Sequence, residues 1–324
     1  MAAGAPHAGE SSRAAIERDA SDLRRSLRLN LLGYVVKLAH PFLLIVVIAR
    51  YGAGAYGVFA LVQAVLVVLL RLALLGLDKG LLWWIPRQVQ ADERLGLRAV
   101  LIIATLTSAL LAAATALILA PLIAGWAGRP DITDSLRWMA VGLVPMALLE
   151  VLCQASVGKR HLEAHVIAKE GVVAMTMVVA ALLLHALGLV ATGLALAFLI
   201  SYVAGLLAVL WVFRRAFAGS AWGRRTWRLP AELWRYSWPM WLSELANALF
   251  VRLDVFILAA LTDEVAVGIF AGAAQYAQNV TAIRVSFDPM VTAMVSQIGH
   301  ANDRDRMRRG FAHAWLLVAT LQIP

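Results

Sequence analysis

Runs of about twenty apolar residues, each closed by a short polar connection, recur along the whole chain, and no other feature narrows its possible folds as far. A helix rising about 1.5 Å per residue crosses roughly 30 Å of hydrocarbon in twenty residues. We read such spans at residues 30–50, 57–77, 99–125, 138–157, 167–187, 189–213, 236–261 and 266–288, with another opening near residue 311. Isolated strands are excluded, because their backbone amides would stay unpaired in lipid, and the ten-residue alternation of a membrane β-barrel is missing. With 61% hydrophobic and 15% charged residues and a mean hydropathy of +0.77, the chain does not suit water. The expected fold class is all-α: a polytopic membrane helical bundle with about eight or nine transmembrane helices.

Short loops rich in Arg and Lys stay in the cytoplasm, so the connections set the orientation. With residues 1–29 inside, the inner segments carry twenty-two Arg and Lys residues, including Arg13, Lys79, Arg94, Lys169, Arg224 and Arg309. The outer connections carry three: Arg50, Arg129 and Arg137. The net charge of +9 then reflects topology and attraction to an anionic inner leaflet, so nucleic acid is no expected partner, whereas membrane lipids are.

Tyr56-Gly57-Val58-Phe59-Ala60 returns 211 positions later as Val267-Gly268-Ile269-Phe270-Ala271, each between the end of one apolar run and the start of the next. Six spans per period is an even number, so both copies start on the same side and run the same way. That is the pattern of a transporter built from two parallel-repeat lobes. We therefore divide the chain into a cytoplasmic segment 1–29 with an amphipathic helix, a six-helix lobe 30–213, a cytoplasmic linker 214–235 and a second lobe 236–324. By the same offset span 99–125 maps onto 310–336, so the second lobe is expected to be incomplete.

Residues 1–29 lack the apolar core and cleavage site of a secretory signal. Cys153 stands alone in an apolar span, which fits inert packing better than a catalytic thiol. His161 and His165 are four apart, but the Glu adjacent to the first His that a metalloprotease helix needs is missing, and no metal is expected. No phosphate-binding Gly-rich loop with Lys-Ser or Lys-Thr occurs, so ATP hydrolysis by that route is not expected.

Charge inside a membrane span costs about 3 kcal/mol or more and points to function or to a buried partner. Span seven holds the densest set: Glu244, Asn247, Arg252 and Asp254. Relative to Glu244, Asn247 projects near about −60°, Arg252 near about +80° and Asp254 near about −80°, so they share one half of the helix and Arg252 does not meet Asp254. Span one repeats the pattern with Asn30, Tyr34 and Lys37 on one stripe. Span eight offers Gln275, Gln278, Asn279 and Ser286, a polar lining that suits either sugar hydroxyls or helix–helix hydrogen bonds. Glu150, one turn before Gln154, is either a protonatable carboxylate in the lumen or the partner of a Lys or Arg. Arg71 and Arg284 are read as snorkelling to the inner surface.

Ala49-Arg50-Tyr51-Gly52, the first Tyr-Gly-Val-Phe-Ala, Gly76-Leu77-Asp78, Trp238-Pro239, Arg252-Leu253-Asp254 and the second copy, running on to Tyr276, resemble the polysaccharide-flippase branch of the multidrug/oligosaccharidyl-lipid/polysaccharide exporter superfamily. Tyr51 departs from the Leu more usual there. The resemblance implies a transporter, not an enzyme. It would flip a polyprenyl-pyrophosphate-linked oligosaccharide across the bacterial cytoplasmic (inner) membrane for polysaccharide or O-antigen export, with other polysaccharide-assembly membrane proteins as further partners. Lys37 and Arg252 would be the cavity cations. Asn30, Tyr34, Asn247, Gln275, Gln278, Asn279 and Ser286 would be the polar lining, and Asp254, Glu244 or Glu150 would couple H⁺ or Na⁺, with no other cofactor. The alternatives are a cation-coupled multidrug exporter, which calls for an anionic cavity, a membrane-embedded glycosyl- or acyltransferase, and an inactive fragment.

Overall fold

The computed structural model describes residue 40 and residues 42–87, 92–127, 131–159, 164–216, 229–275 and 277. Every regular element among them is helical: α1 (Phe42–Tyr51), α2 (Ala53–Leu74), α3 (Leu77–Trp84), α4 (Asp92–Ala114), α5 (Ala120–Ala127), α6 (Asp131–Val141), α7 (Leu143–Gly158), α8 (Ala174–Ala186), α9 (Val190–Ala216), α10 (Ala231–Leu261) and α11 (Glu264–Gln275). Wide π-type turns, Thr115–Leu119 and His165–Val173, run without a break into α5 and α8. Five continuous helical stretches are long and apolar enough to cross a membrane: Ala53–Leu74, Leu97–Gly125, Ile132–Gly158, His165–Ala186 and Thr192–Arg214. The chain is a multi-pass all-α membrane protein, as its apolar runs imply.

Departures from the expected spans have local causes. The first two spans meet at Gly52, whose φ of 86° suits glycine and ends α1. Span two stops at Leu74, because Leu75 and Gly76 both take left-handed backbone (φ 50° and 70°); the chain then restarts as α3. The fifth span starts at His165, two residues before its expected start, and Lys169, counted among the inner cations, lies within the helix. Helix α10, 31 residues or about 46 Å, is long enough to span, but its charged residues keep it out of the five apolar ones. Residues 1–39, most of the linker 217–228, the remainder of span eight beyond 277, and the last span lie outside the described residues.

The chain divides into two compact units, Met1–Ile269 and Phe270–Pro324; the described part of the second is the end of α11 with Ala277. Within the first, α7 is the most enclosed helix, burying Leu143, Ala147, Leu149, Leu152 and Cys153 as it packs on α3, α4 and α9. Helix α10 lies against α2 and α3. Tyr51 has a local explanation: its hydroxyl donates to the Ala181 carbonyl at 2.7 Å, and its ring fills the notch left by Gly193.

The two echoed motifs meet. A Cβ on Gly57 would collide with the Glu264 carbonyl and come within 2.8 Å of the Gly268 nitrogen; one on Gly268 would collide with the Ala53 carbonyl. The equivalent glycines of the repeat are thus a backbone-to-backbone contact between α2 and α11, with Ala64, Val255 and Val267 packed nearby.

Candidate functional site

Two glycines let α10 reach the turn between α2 and α3. A side chain at Gly76 would strike the Ser237 carbonyl and the Trp241 nitrogen, and one at Gly80 would strike the Ser237 hydroxyl and Leu233. Trp241 anchors the approach by donating its indole N–H to the Arg71 carbonyl at 3.0 Å. The docking brings Glu244 within 3.6 Å of the Arg71 guanidinium and 4.0 Å of the Lys79 ammonium. Arg71 also reaches Asp78 at 3.3 Å, in the first turn of α3, where the helix dipole favours an acid. Asp78 is 1% exposed. Its burial and the nearby Glu150 carboxylate raise its carboxyl above the ordinary carboxylate range, against the pull of Arg71 and Lys79.

A second pair continues this set inward. Lys169 meets Glu150 of α7 at 2.8 Å, with the Gln154 amide at 3.4 Å from the other carboxylate oxygen. Arg71 and Lys79 are near enough to attract Glu150. Three cations (Arg71, Lys79, Lys169) and three carboxylates (Asp78, Glu150, Glu244) from α2, α3, α7, the His165–Val173 turn and α10 form one electrically balanced group. The π-type turn has a visible effect: it brings residues five apart onto one face, so His165 and Glu170 come within 3.8 Å. Tyr202 of α9, its ring 4.6 Å from Phe198, lies in the field of both Lys169 and Arg252.

Of the residues singled out from sequence, Glu244 and Glu150 join the group as ion-pair members. Glu150 takes the partnered role of the two open to it. Arg252 stands apart from Asp254: its Nε is buried and meets no hydrogen-bond acceptor among the described residues. Asp254 is exposed and accepts from the Val255 amide at 2.7 Å, Asn247 is exposed, and Gln275 is half-buried in the second unit. Lys37, Asn30, Tyr34, Gln278, Asn279 and Ser286 lie outside the described residues. Arg71 corrects the snorkelling reading, since two carboxylates hold it inward. Sequence reasoning missed Asp78 and Lys169 as site members; the available signal for Asp78 was Arg71 seven residues earlier, across the turn at Leu75 and Gly76.

This arrangement of helices is found in solved structures of other membrane proteins. It is similar to an inward-facing multidrug resistance MATE family transporter of the MOP superfamily, at a TM-score of 0.61 and 18% identity over 89% of this chain and 71% of that one. It is also similar to a MATE crystallised in complex with Br-NRF, at 0.60 and 16% over 93% and 74%. The chain belongs to the polysaccharide biosynthesis protein family, whose model matches residues 23–295. No curated protein matches it significantly. By family it is a multi-pass polysaccharide biosynthesis protein, and its fold is the one these MATE structures share.

Proposed function

We propose that the protein moves a polyprenyl-pyrophosphate-linked oligosaccharide from the inner to the outer leaflet of a bacterial cytoplasmic membrane by alternating access, with its N-terminus inside. Arg252 carries the reading. In the C-terminal half of α10 the Arg252 Nε is buried and meets no hydrogen-bond acceptor among the described residues, so it offers a donor site to an anion. A pyrophosphate would fill it, and Lys37 would add a second cation. The balanced charges around Arg71 and Glu244 favour this substrate over a cationic drug, which calls for net negative charge. Glu244 and Asp254 are the acids offered for H⁺ or Na⁺ coupling. The surplus of inner-loop cations supports the orientation. In this reading the chain catalyses no covalent step and works beside the membrane enzymes that build and polymerise the saccharide.

The test is transport by Arg252→Ala and Arg252→Lys in liposomes loaded with a lipid-linked oligosaccharide. We expect Ala to lower the rate at least tenfold and Lys to keep a measurable part, since it retains the charge and loses the bidentate fork. Unchanged transport in Arg252→Ala overturns the assignment.

A further inference from the structure

An aromatic ladder on α10 runs beside the charge group. Trp234, Trp238 and Trp241 follow at i, i+4 and i+7, with ring centroids 5.9 Å and then 4.9 Å apart and planes tilted by 39° and 30°. Trp238 is 51% exposed and Trp234 39%, so each keeps part of its ring open, while Trp241 is fixed by its bond to Arg71. Arg252 comes eighteen residues after Trp234, five turns of a regular helix, with Pro239 between them. Trp241 and Arg252 are separated by about 16 Å along the axis. Glu244, Arg71 and Lys79 flank the strip and supply polar groups. An interfacial belt gathers its aromatics at one headgroup depth. This ladder instead covers about 10 Å of axis and runs toward Arg252, whose Nε is buried.

We propose that Trp234, Trp238 and Trp241 form a saccharide-stacking track, which takes successive sugar rings of the substrate whose phosphate sits at Arg252. The electron-rich faces of the indoles take the C–H faces of pyranose rings, and the flanking carboxylate and cations take their hydroxyls. The inference rests on the flippase reading. It adds to that reading the part of the ligand α10 recognises and the end at which the glycan lies.

The test is binding to the purified full chain of two synthetic probes: a short-chain polyprenyl pyrophosphate carrying a pentasaccharide, and the same pyrophosphate without sugar. For Trp238→Ala we expect the pentasaccharide probe to bind about tenfold more weakly and the sugar-free probe to bind as to the parent. Trp238→Phe, which keeps an aromatic face, should restore most of the loss, and helical circular dichroism should match the parent in both variants. Equal weakening of both probes, or no change in either, overturns the track. If the parent binds neither probe, the flippase reading itself fails.

Discussion

Replacing Lys169 with Met leaves the Glu150 carboxylate, 5% exposed, without its ion-pair partner. At 2.8 Å and an effective dielectric of about 20 the two charges attract by about 6 kcal/mol, a gain largely offset by taking both out of water. Removing one partner discards the attraction and keeps the desolvation, which costs about 3–5 kcal/mol in buried pairs. The lower end applies here, because Lys169 keeps 34% of its side-chain surface exposed and Arg71 and Lys79 still pull on Glu150. Denaturant unfolding can be followed by helical circular dichroism and by the reactivity of Cys153, the sole and fully buried cysteine. We expect Lys169→Met to lose about 3 kcal/mol and the further change Glu150→Leu to recover most of it, a coupling of about 2 kcal/mol or more. Additive losses in the double variant would refute the pairing.

Gly57→Ala should destabilise by about 2 kcal/mol or more, because the new methyl meets backbone atoms of Glu264 and Gly268 that no rotamer change can move. Gly125→Ala, into open space, should be neutral or slightly stabilising, and equal stability losses in the two would contradict the contact. Asp78 gives a pH signature. Its folded carboxyl holds a proton to higher pH than the unfolded chain does, so its contribution to stability falls as pH rises from the unfolded value, about 4, through the raised one. The difference in unfolding free energy between the parent and Asp78→Asn should therefore decline over that window, and a pH-independent difference would contradict the burial argument.

The membrane fold was legible because twenty-residue apolar runs admit few alternatives, and the echoed Gly57 and Gly268 mark positions where α2 and α11 touch and a side chain does not fit. Polar content singled out α10 in the same way: Glu244 and Arg252 have no reason to sit in a lipid-facing helix. The group around Asp78 was not legible. A basic residue near a span end reads as snorkelling or as pairing with equal ease, and the choice for Arg71 depends on Glu244, 173 positions away, brought in by glycines at 76 and 80. Lys169 was hidden for a different reason. Its helix begins in a polar stretch stabilised by packing of the π-type turn on α9 and α7, which no apolar periodicity reports.

Transport by the parent protein tests the central claim most directly. The full chain is reconstituted in liposomes with a lipid-linked oligosaccharide in the inner leaflet, and the saccharide reaching the outer leaflet is scored with an external glycosidase. We expect protein-dependent exposure of the sugar well above that of empty liposomes. Exposure no greater than in protein-free liposomes, across imposed H⁺ and Na⁺ gradients, would contradict it.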